Sequence, residues 1–315
     1  MKLGVVGSGS IVPFHLDALK AVGFTPTVVG TRPGSERTQS LAKKYSIATV
    51  ADNWSDVISA SVDAFLIAPE TSVTPEILRA AIGTGKPVLV EKPVGYASAE
   101  VAALGEAPQV LVGYNRRHYS STAKALELIQ NSSAVTFNAA IPESSWTTSM
   151  ASEAKVNTVL ANSVHVLDLL QYLFGELEVR GIAKLDDETG IVSRAIALGN
   201  ASSAGQAMIT FGSPSNFFVD IHTPGKSAAL RPIEWFQEFV GVNVVEPTSE
   251  IPLRHYNPTK GEAFELSQDD IDFKPGFLSQ AKELKALVEG ALVNRKSATL
   301  SDAVSVLKLA ETIVA

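Results

Sequence analysis

Lys92 stands just past a short apolar run, Val88-Leu89-Val90, and is followed by Pro93. The run reads as a buried strand, and proline cannot continue a ladder. In an open α/β sheet, ligands bind in the crevice outside the carboxyl ends of the strands. An ammonium there is placed over a ligand. A second candidate lies at the start of the chain. Lys2 to Val6 reads as a strand, Gly7-Ser8-Gly9-Ser10-Ile11-Val12 as a turn, and Phe14, Leu16, Leu19 and Val22 as one face of a helix. Gly7 permits the tight turn. Gly9 lets a pyrophosphate approach the backbone at the helix N-terminus. The third glycine position of that fingerprint holds Val12. A third candidate follows the next strand, at Thr31-Arg32-Pro33-Gly34-Ser35-Glu36-Arg37. A carboxylate at that strand end, about 20 residues past the glycines, would select NAD. None stands there. Arg32, Ser35 and Arg37 suit a phosphate dianion, so NADP is the expected cofactor and NAD the alternative.

The elements that must position these groups alternate. Strands are expected over residues 27–30, 48–50, 62–68, 88–90 and 109–112. Helices are expected over 36–45, from a cap at Asp52 through Ile58, and over 75–82 and 98–104. Strands alternating with helices at this spacing make a parallel, doubly wound sheet. After Arg117 the pattern changes. Helices are expected over 123–129 and 162–173, the latter ended by Gly175. Strand-like runs follow at 134–141, 179–183, 192–198, 205–211, 217–221, 228–230 and 242–245, joined by Gly, Asn, Ser and Pro. Such runs read as an antiparallel sheet. Helices over 277–292 and 301–315 complete the pattern. The expected architecture is a Rossmann domain over 1–115 and an α/β domain with a large, mostly antiparallel open sheet over 116–315. The last helix is free to pack back on the first domain.

Composition narrows the function. The 315 residues are 45% apolar, carry a net charge of −7 and include no cysteine. Two domains with real cores are expected. Disulfides, thiolate metal sites and a cysteine nucleophile are excluded. The acidic balance without a basic run argues against nucleic acid. No window resembles a membrane span, and the apolar N-terminus turns to Gly and Ser too early for a signal-peptide core. A cytoplasmic location is expected. His118, His222 and His255 show no metal-like spacing, so no metal is expected.

The chain resembles the Gfo/Idh/MocA family, the glucose–fructose oxidoreductase and inositol dehydrogenase group. The resemblance rests on Gly7-Ser8-Gly9 with His15 downstream, Val90-Glu91-Lys92-Pro93-Val94, Val112-Gly113-Tyr114-Asn115-Arg116-Arg117, and Ser163-Val164-His165-Val166-Leu167-Asp168-Leu169-Leu170. Leu300 to Val314 is similar to the family's last helix. The resemblance implies hydride exchange between a nicotinamide and a carbinol carbon, often of a sugar or cyclitol. Cofactor contacts are then expected from Gly7, Ser8, Gly9, Ser10, Ile11, Thr31, Arg32, Ser35, Arg37, Pro69, Glu91 and Lys92.

Removing a hydride from a carbinol requires its hydroxyl to lose a proton, with a base in reach and a donor to steady the alkoxide. Lys92 is the expected donor and His165 the expected base, with an unperturbed pKa of about 6.5. Asp168, one turn on, either orients His165 or closes a turn. Tyr114, Arg116, Arg117 and Asn162 are candidate substrate contacts; the arginines suit a carboxylate or phosphate. Trp146 is placed to stack on a sugar face or to serve as core or lid. The family commonly has an acid four residues before the histidine; Ala161 stands there, beside Asn162, which replaces a hydrogen bond but not a charge. Two readings therefore remain, a dehydrogenase and a non-catalytic NAD(P)-binding sensor or regulator. Phe217, Val219 and Ile221 alternate with Phe218, Asp220 and His222, leaving a partly apolar second face. A homodimer or homotetramer built on the outer face of the sheet is expected.

Overall fold

The computed structural model describes residues 1–143, 150–291 and 296–315. Trp146 lies outside them. The chain divides into two compact units, one of residues 1–119, 157–169 and 268–315, the other of residues 120–156 and 170–267.

The first unit holds a parallel sheet of β1 (Lys2–Val6), β2 (Thr25–Gly30), β3 (Thr49–Ala51), β4 (Ala64–Ile67), β5 (Val88–Val90) and β6 (Val110–Val112), in the order β3-β2-β1-β4-β5-β6. Between the strands run α1 (Val12–Ala21), α2 (Glu36–Tyr45), α3 (Trp54–Ile58), α4 (Thr74–Ile82) and α5 (Ser98–Ala102). β4, β5 and β6 are buried along their whole length. That is why they read as continuous apolar runs and not as alternation. Leu3, Val5, Leu16, Leu19, Leu66, Leu89 and Leu111 form one core.

Two local expectations are corrected. Phe14 is 45% exposed, while Val12, Leu16 and Leu19 are fully buried. At about 100° per residue, positions 12, 16 and 19 share a face and position 14 points away. The cap position of α3 is Asn53, without a side-chain capping bond, and not Asp52.

Next in the chain come α6 (Ser120–Gln130), β7 (Val135–Glu143) and α7 (Ser152–Thr158), then a π-helical turn, Val159–Ser163, and α8 (Val164–Phe174). The pattern at 162–173 therefore marks only the later part of a longer helical stretch. The second unit's sheet contains β7 with β8 (Glu178–Asp187), β9 (Gly190–Gly199), β10 (Ser203–Phe211), β11 (Phe218–Thr223), β12 (Lys226–Leu230), β13 (Gln237–Val245) and β14 (His255–Lys260), in the order β14-β13-β12-β11-β7-β10-β9-β8. All its pairings are antiparallel except β7 with β10. A parallel pair needs a long crossover, which the helical stretch after β7 helps to supply. Val219 and Ile221 are fully buried, whereas His222 is exposed. On the opposite face Met208, 47% exposed, stands in register with Ala140 and Phe218. β14 was not expected: every residue in it is exposed, so no burial pattern marks it.

Three later helices belong to the first unit: α9 (Gln268–Asp272), α10 (Phe277–Val288) and α11 (Leu300–Val314). Phe277, Leu278, Ala281 and Leu284 of α10 complete the core under α1. Thr299 and Asp302 form a capping box at the start of α11, worth about 1 kcal/mol. α11 is tied to α5 through Glu311, which accepts from the Ser98 amide and hydroxyl at 2.6 and 2.7 Å. Among the described residues no helix is long and apolar enough to cross a membrane.

Candidate active site

The turn between β1 and α1 tolerates only glycine at its first position. Gly7 has φ +121°, and a Cβ there would lie 2.1 Å from the Ala68 carbonyl oxygen, next to Pro69. Gly9 differs: a Cβ on it would meet nothing within 4 Å. Gly7 is thus required by packing, while Gly9 leaves open space above the start of α1. The loop is tied to the end of β2 through hydroxyls. Thr38 Oγ1 donates to Ser8 Oγ at 3.1 Å and lies 3.0 Å from Thr31 Oγ1. Ser35 caps α2, accepting from the Thr38 amide at 3.3 Å. Ser10, Arg32 and Arg37 are exposed, and Ile11 is half-buried. Neither arginine makes a hydrogen bond or ion pair among the described residues.

This arrangement fits a dinucleotide. Open space over Gly9 at a ten-residue helix accommodates a pyrophosphate, and the two arginines beyond β2 suit a further phosphate.

Glu91 follows β5. Its Oε1 lies 2.5 Å from His15 Nε2, and its Oε2 accepts from the Lys92 amide at 3.1 Å. Glu91, an expected cofactor contact, thus braces both α1 and Lys92. His15 also lies against Phe277, with ring centroids 4.4 Å apart. The Lys92 side chain is half-buried, and its Nζ donates to the Ala161 carbonyl oxygen at 3.1 Å. Ala161 lies in the π-helical turn, a feature frequently found at functional sites. The position without an acid thus reaches Lys92 through its backbone. Asn162 is half-buried in the same turn.

His165 begins the helix after that turn. The residue is only partly covered, but its Nδ1 is buried and has no hydrogen-bond partner. Its ring meets Tyr114 edge-on, with centroids 6.0 Å apart. Tyr114 is fully buried, and its hydroxyl also has no partner. Burial pushes that phenol well above its ordinary range. Burial first, then the charges of Lys92, Arg116 and Lys274, holds the His165 ring well below its usual 6.5. The ring is therefore neutral throughout the ordinary pH range, which corrects the expectation of titration near neutrality.

Arg117, expected to face a substrate anion, is buried and already paired. Its Nε and Nη2 donate to Asp168 Oδ2 and Oδ1 at 2.9 and 2.6 Å, and Nη2 lies 3.5 Å from Asp302. Asp168 accordingly binds Arg117 and does not orient His165. Burial pushes the Asp168 carboxyl up to about 6 against the pull of Arg117, leaving the pair ionised at neutral pH. The neighbouring Arg116 is half-buried on the 3-10 turn Asn115–His118. His118 lies between Ser279 Oγ and Ser297 Oγ, at 2.9 and 3.0 Å, and burial lowers it to about 3.

Sequence reasoning missed three contributors: the Ala161 carbonyl, the π turn that carries it, and Lys274. The first two leave no mark in residue types. Lys274 sits over the rings of Phe14 and Phe277, 5.0 and 5.9 Å from their centroids, the first of them far from it in the chain.

Comparison with known proteins agrees with this geometry. Residues 1–111 match the family model GFO_IDH_MocA, described as "Oxidoreductase family, NAD-binding Rossmann fold". Among curated proteins, the myo-inositol dehydrogenase Hyg17 of Streptomyces leeuwenhoekii is 33% identical over 106 residues, 33% of this chain and 32% of that one. Inositol 2-dehydrogenase 2 of Saccharopolyspora erythraea is 25% identical over 202 residues, 61% of this chain and 59% of that one. The chain thus matches about a third and about three fifths of these relatives' length. Among solved structures, the dehydrogenase MviM of Clostridium difficile superposes with a TM-score of 0.79 at 17% identity, covering 100% of this chain and 98% of the other. A levoglucosan dehydrogenase in complex with NADH and levoglucosan gives 0.79 at 17% identity, covering 100% and 96%. These likenesses establish the fold over the full length. The sequence of residues 1–111 is thus similar to the GFO_IDH_MocA oxidoreductase family with its NAD-binding Rossmann fold, and the likeness in fold to the solved dehydrogenases runs over the whole chain.

Proposed function

We propose that the protein is a dehydrogenase that interconverts a carbinol and a carbonyl of a sugar, cyclitol or related derivative, with NADP preferred over NAD. The carrying observation is that β5 brings Lys92 onto the turn before His165, whose buried ring nitrogen has no partner. The nicotinamide, when bound, supplies the hydride acceptor. Gly7, Ser8, Gly9, Ser10 and Ile11 hold the pyrophosphate side, with Pro69 and Lys92 further along. Thr31, Arg32, Ser35 and Arg37 hold the ribose phosphate. Lys92 donates a hydrogen bond to the substrate oxygen and steadies its negative charge as the hydroxyl proton leaves for the neutral His165 ring. Support for NADP comes from Arg32 and Arg37, both exposed where an acid would select NAD.

The sources of the substrate reading are the inositol and levoglucosan dehydrogenases among the relatives. A cytoplasmic homo-oligomer built on the apolar row of Met208 and Phe218 belongs to the same proposal. Ala161, in the place of the usual acid, favours a second reading as a cofactor-binding sensor without turnover. One experiment separates the two: a panel of polyols and sugar derivatives assayed with both dinucleotides. Turnover on some member supports the enzyme. Dinucleotide binding with no turnover across the panel supports the sensor, and tighter binding of NADH than NADPH by tenfold or more overturns the NADP preference.

A further inference from the structure

The carboxylate beside Lys92 is held from several sides. Glu91 directly precedes the lysine, just past the carboxyl end of β5. An ionised carboxylate only accepts, so His15 Nε2 carries the hydrogen and donates to Glu91 Oε1 across 2.5 Å. The imidazole is 1% exposed and the Glu91 side chain 15%. Phe277 of α10 lies on the imidazole, with its plane inclined by 40°. The Glu91 amide donates to the Ile67 carbonyl oxygen at the end of β4, at 2.8 Å. Gly113 leaves the carboxylate its room: a Cβ there would lie 3.3 Å from Glu91 Cα and Cδ alike. The second carboxylate oxygen then accepts from the Lys92 amide. Enclosing a carboxylate and an imidazole together costs desolvation, which capping a strand end does not require. His15 lies in the first turn of α1, and its own amide donates to the carbonyl oxygen of Ile11, at the end of the Gly7 loop, at 3.4 Å. A bonded path therefore runs from the nucleotide loop through His15 and Glu91 to the backbone from which Lys92 projects.

We propose that His15 is a positioning residue for Lys92, acting through Glu91, and that it couples the dinucleotide loop to the lysine. This rests on the dehydrogenase reading and adds how its hydrogen-bond donor is aimed. A lysine is a point charge on a flexible four-carbon stem, and a small misplacement of a catalytic group is costly. The Ala161 carbonyl meets the far end of the stem. The Glu91 carboxylate fixes the near end, at the amide. Without the His15 donor that carboxylate is free to turn about its side-chain torsions, and the peptide that carries Lys92 loses a fixed acceptor. A histidine that only fills space under Phe277 would instead affect stability, with no selective effect on the chemical step.

The test compares His15→Phe, which keeps an aromatic ring on Phe277 and removes the donor, with His15→Gln, which keeps a donor near the same place. In His15→Phe, kcat for oxidation should fall by about tenfold or more while KM for the dinucleotide stays within about threefold, and His15→Gln should recover most of the loss. In a Lys92→Ala background His15→Phe should change kcat by less than about twofold, because nothing is left to position. Full activity in His15→Phe, or a loss that persists undiminished without Lys92, would overturn the inference while the dehydrogenase reading stands. A second readout needs no turnover: acetylation of the unliganded protein by acetic anhydride, followed by peptide mass spectrometry. Labelling of Lys92 should rise by about threefold or more in His15→Phe, as its segment loosens, while Lys43, exposed on α2, labels at the wild-type rate. Unchanged labelling of Lys92 overturns the inference. A response in labelling from a protein that turns nothing over supports the positioning and ends the dehydrogenase reading. If His15→Phe fails to fold, Glu91→Met, close in size and without carboxylate acceptors, should give the same pattern.

Discussion

Two clusters lie one helical turn apart on α8, and they could hardly differ more in how their polar groups are satisfied. At Asp168, every charge has an answer: the carboxylate meets the Arg117 fork at 2.6 and 2.9 Å, and Asp302 stands 3.5 Å away. At His165, a buried ring nitrogen and a neighbouring phenol have no partner. Both clusters are polar and enclosed, and sequence alone offers Arg116 and Arg117 as equals. The structure separates them. A saturated buried pair fixes the fold locally, and an unsatisfied one marks where a ligand completes the structure.

The largest expected effect breaks the saturated cluster. Asp168→Asn leaves Arg117 buried without the carboxylate that meets its fork, and should cost about 3–5 kcal/mol of stability. Urea unfolding measures it; a loss under 1 kcal/mol would show that Asp302 substitutes fully. Next, Lys92→Ala acts on the other cluster. It should lower turnover by about 10²–10³-fold while dinucleotide affinity stays within about threefold. An equal loss of both would make Lys92 a cofactor contact alone.

Ala161→Asp adds the absent carboxylate beside Lys92. Oxidation of polyols should rise several-fold. Reduced activity with unchanged dinucleotide affinity would mean that the substrate occupies that space.

The smallest effect is a flat profile. Because burial and three cations hold His165 well below 6.5, it stays neutral as pH falls through that value. The kcat/KM for oxidation should therefore show no midpoint near pH 6.5, where an exposed histidine would produce one. Stability should behave differently. His118 and His165 bind protons readily only when unfolded, so their contribution is intact above about 6.5. It is lost as pH falls, toward about 3 for His118. Thermal melts from pH 7.5 to 4.5 should decline, and less steeply in His118→Asn.

Much of the first unit was legible because β4, β5 and β6 are buried along their whole length. Continuous β-branched runs such as Val88-Leu89-Val90 have few other uses, and Gly7 and Lys92 sit at their ends by chain order alone. The partnership of Arg117 was not legible, since Asp168 lies 51 residues on and either arginine could have met it. The lowered pKa of His165 comes first from burial, which long-range packing sets. In the second unit β14 escaped notice because an exposed strand has no reason to alternate, and the parallel pairing of β7 with β10 is a matter of topology, not composition.

The first unit is assembled from three separate stretches of chain, and this has a consequence for how it is made. The Gly7 loop and its sheet leave the ribosome early, yet α10, which closes the core over α1, comes only after residue 268. At about 5–20 residues per second, the intervening chain delays that closure by on the order of ten seconds. For that interval Leu16 and Leu19 have no Leu284 to pack against. A nascent chain stalled before α10 should therefore expose this apolar face to chaperones and proteases, and the full nucleotide-binding core should form only once synthesis has passed the second unit.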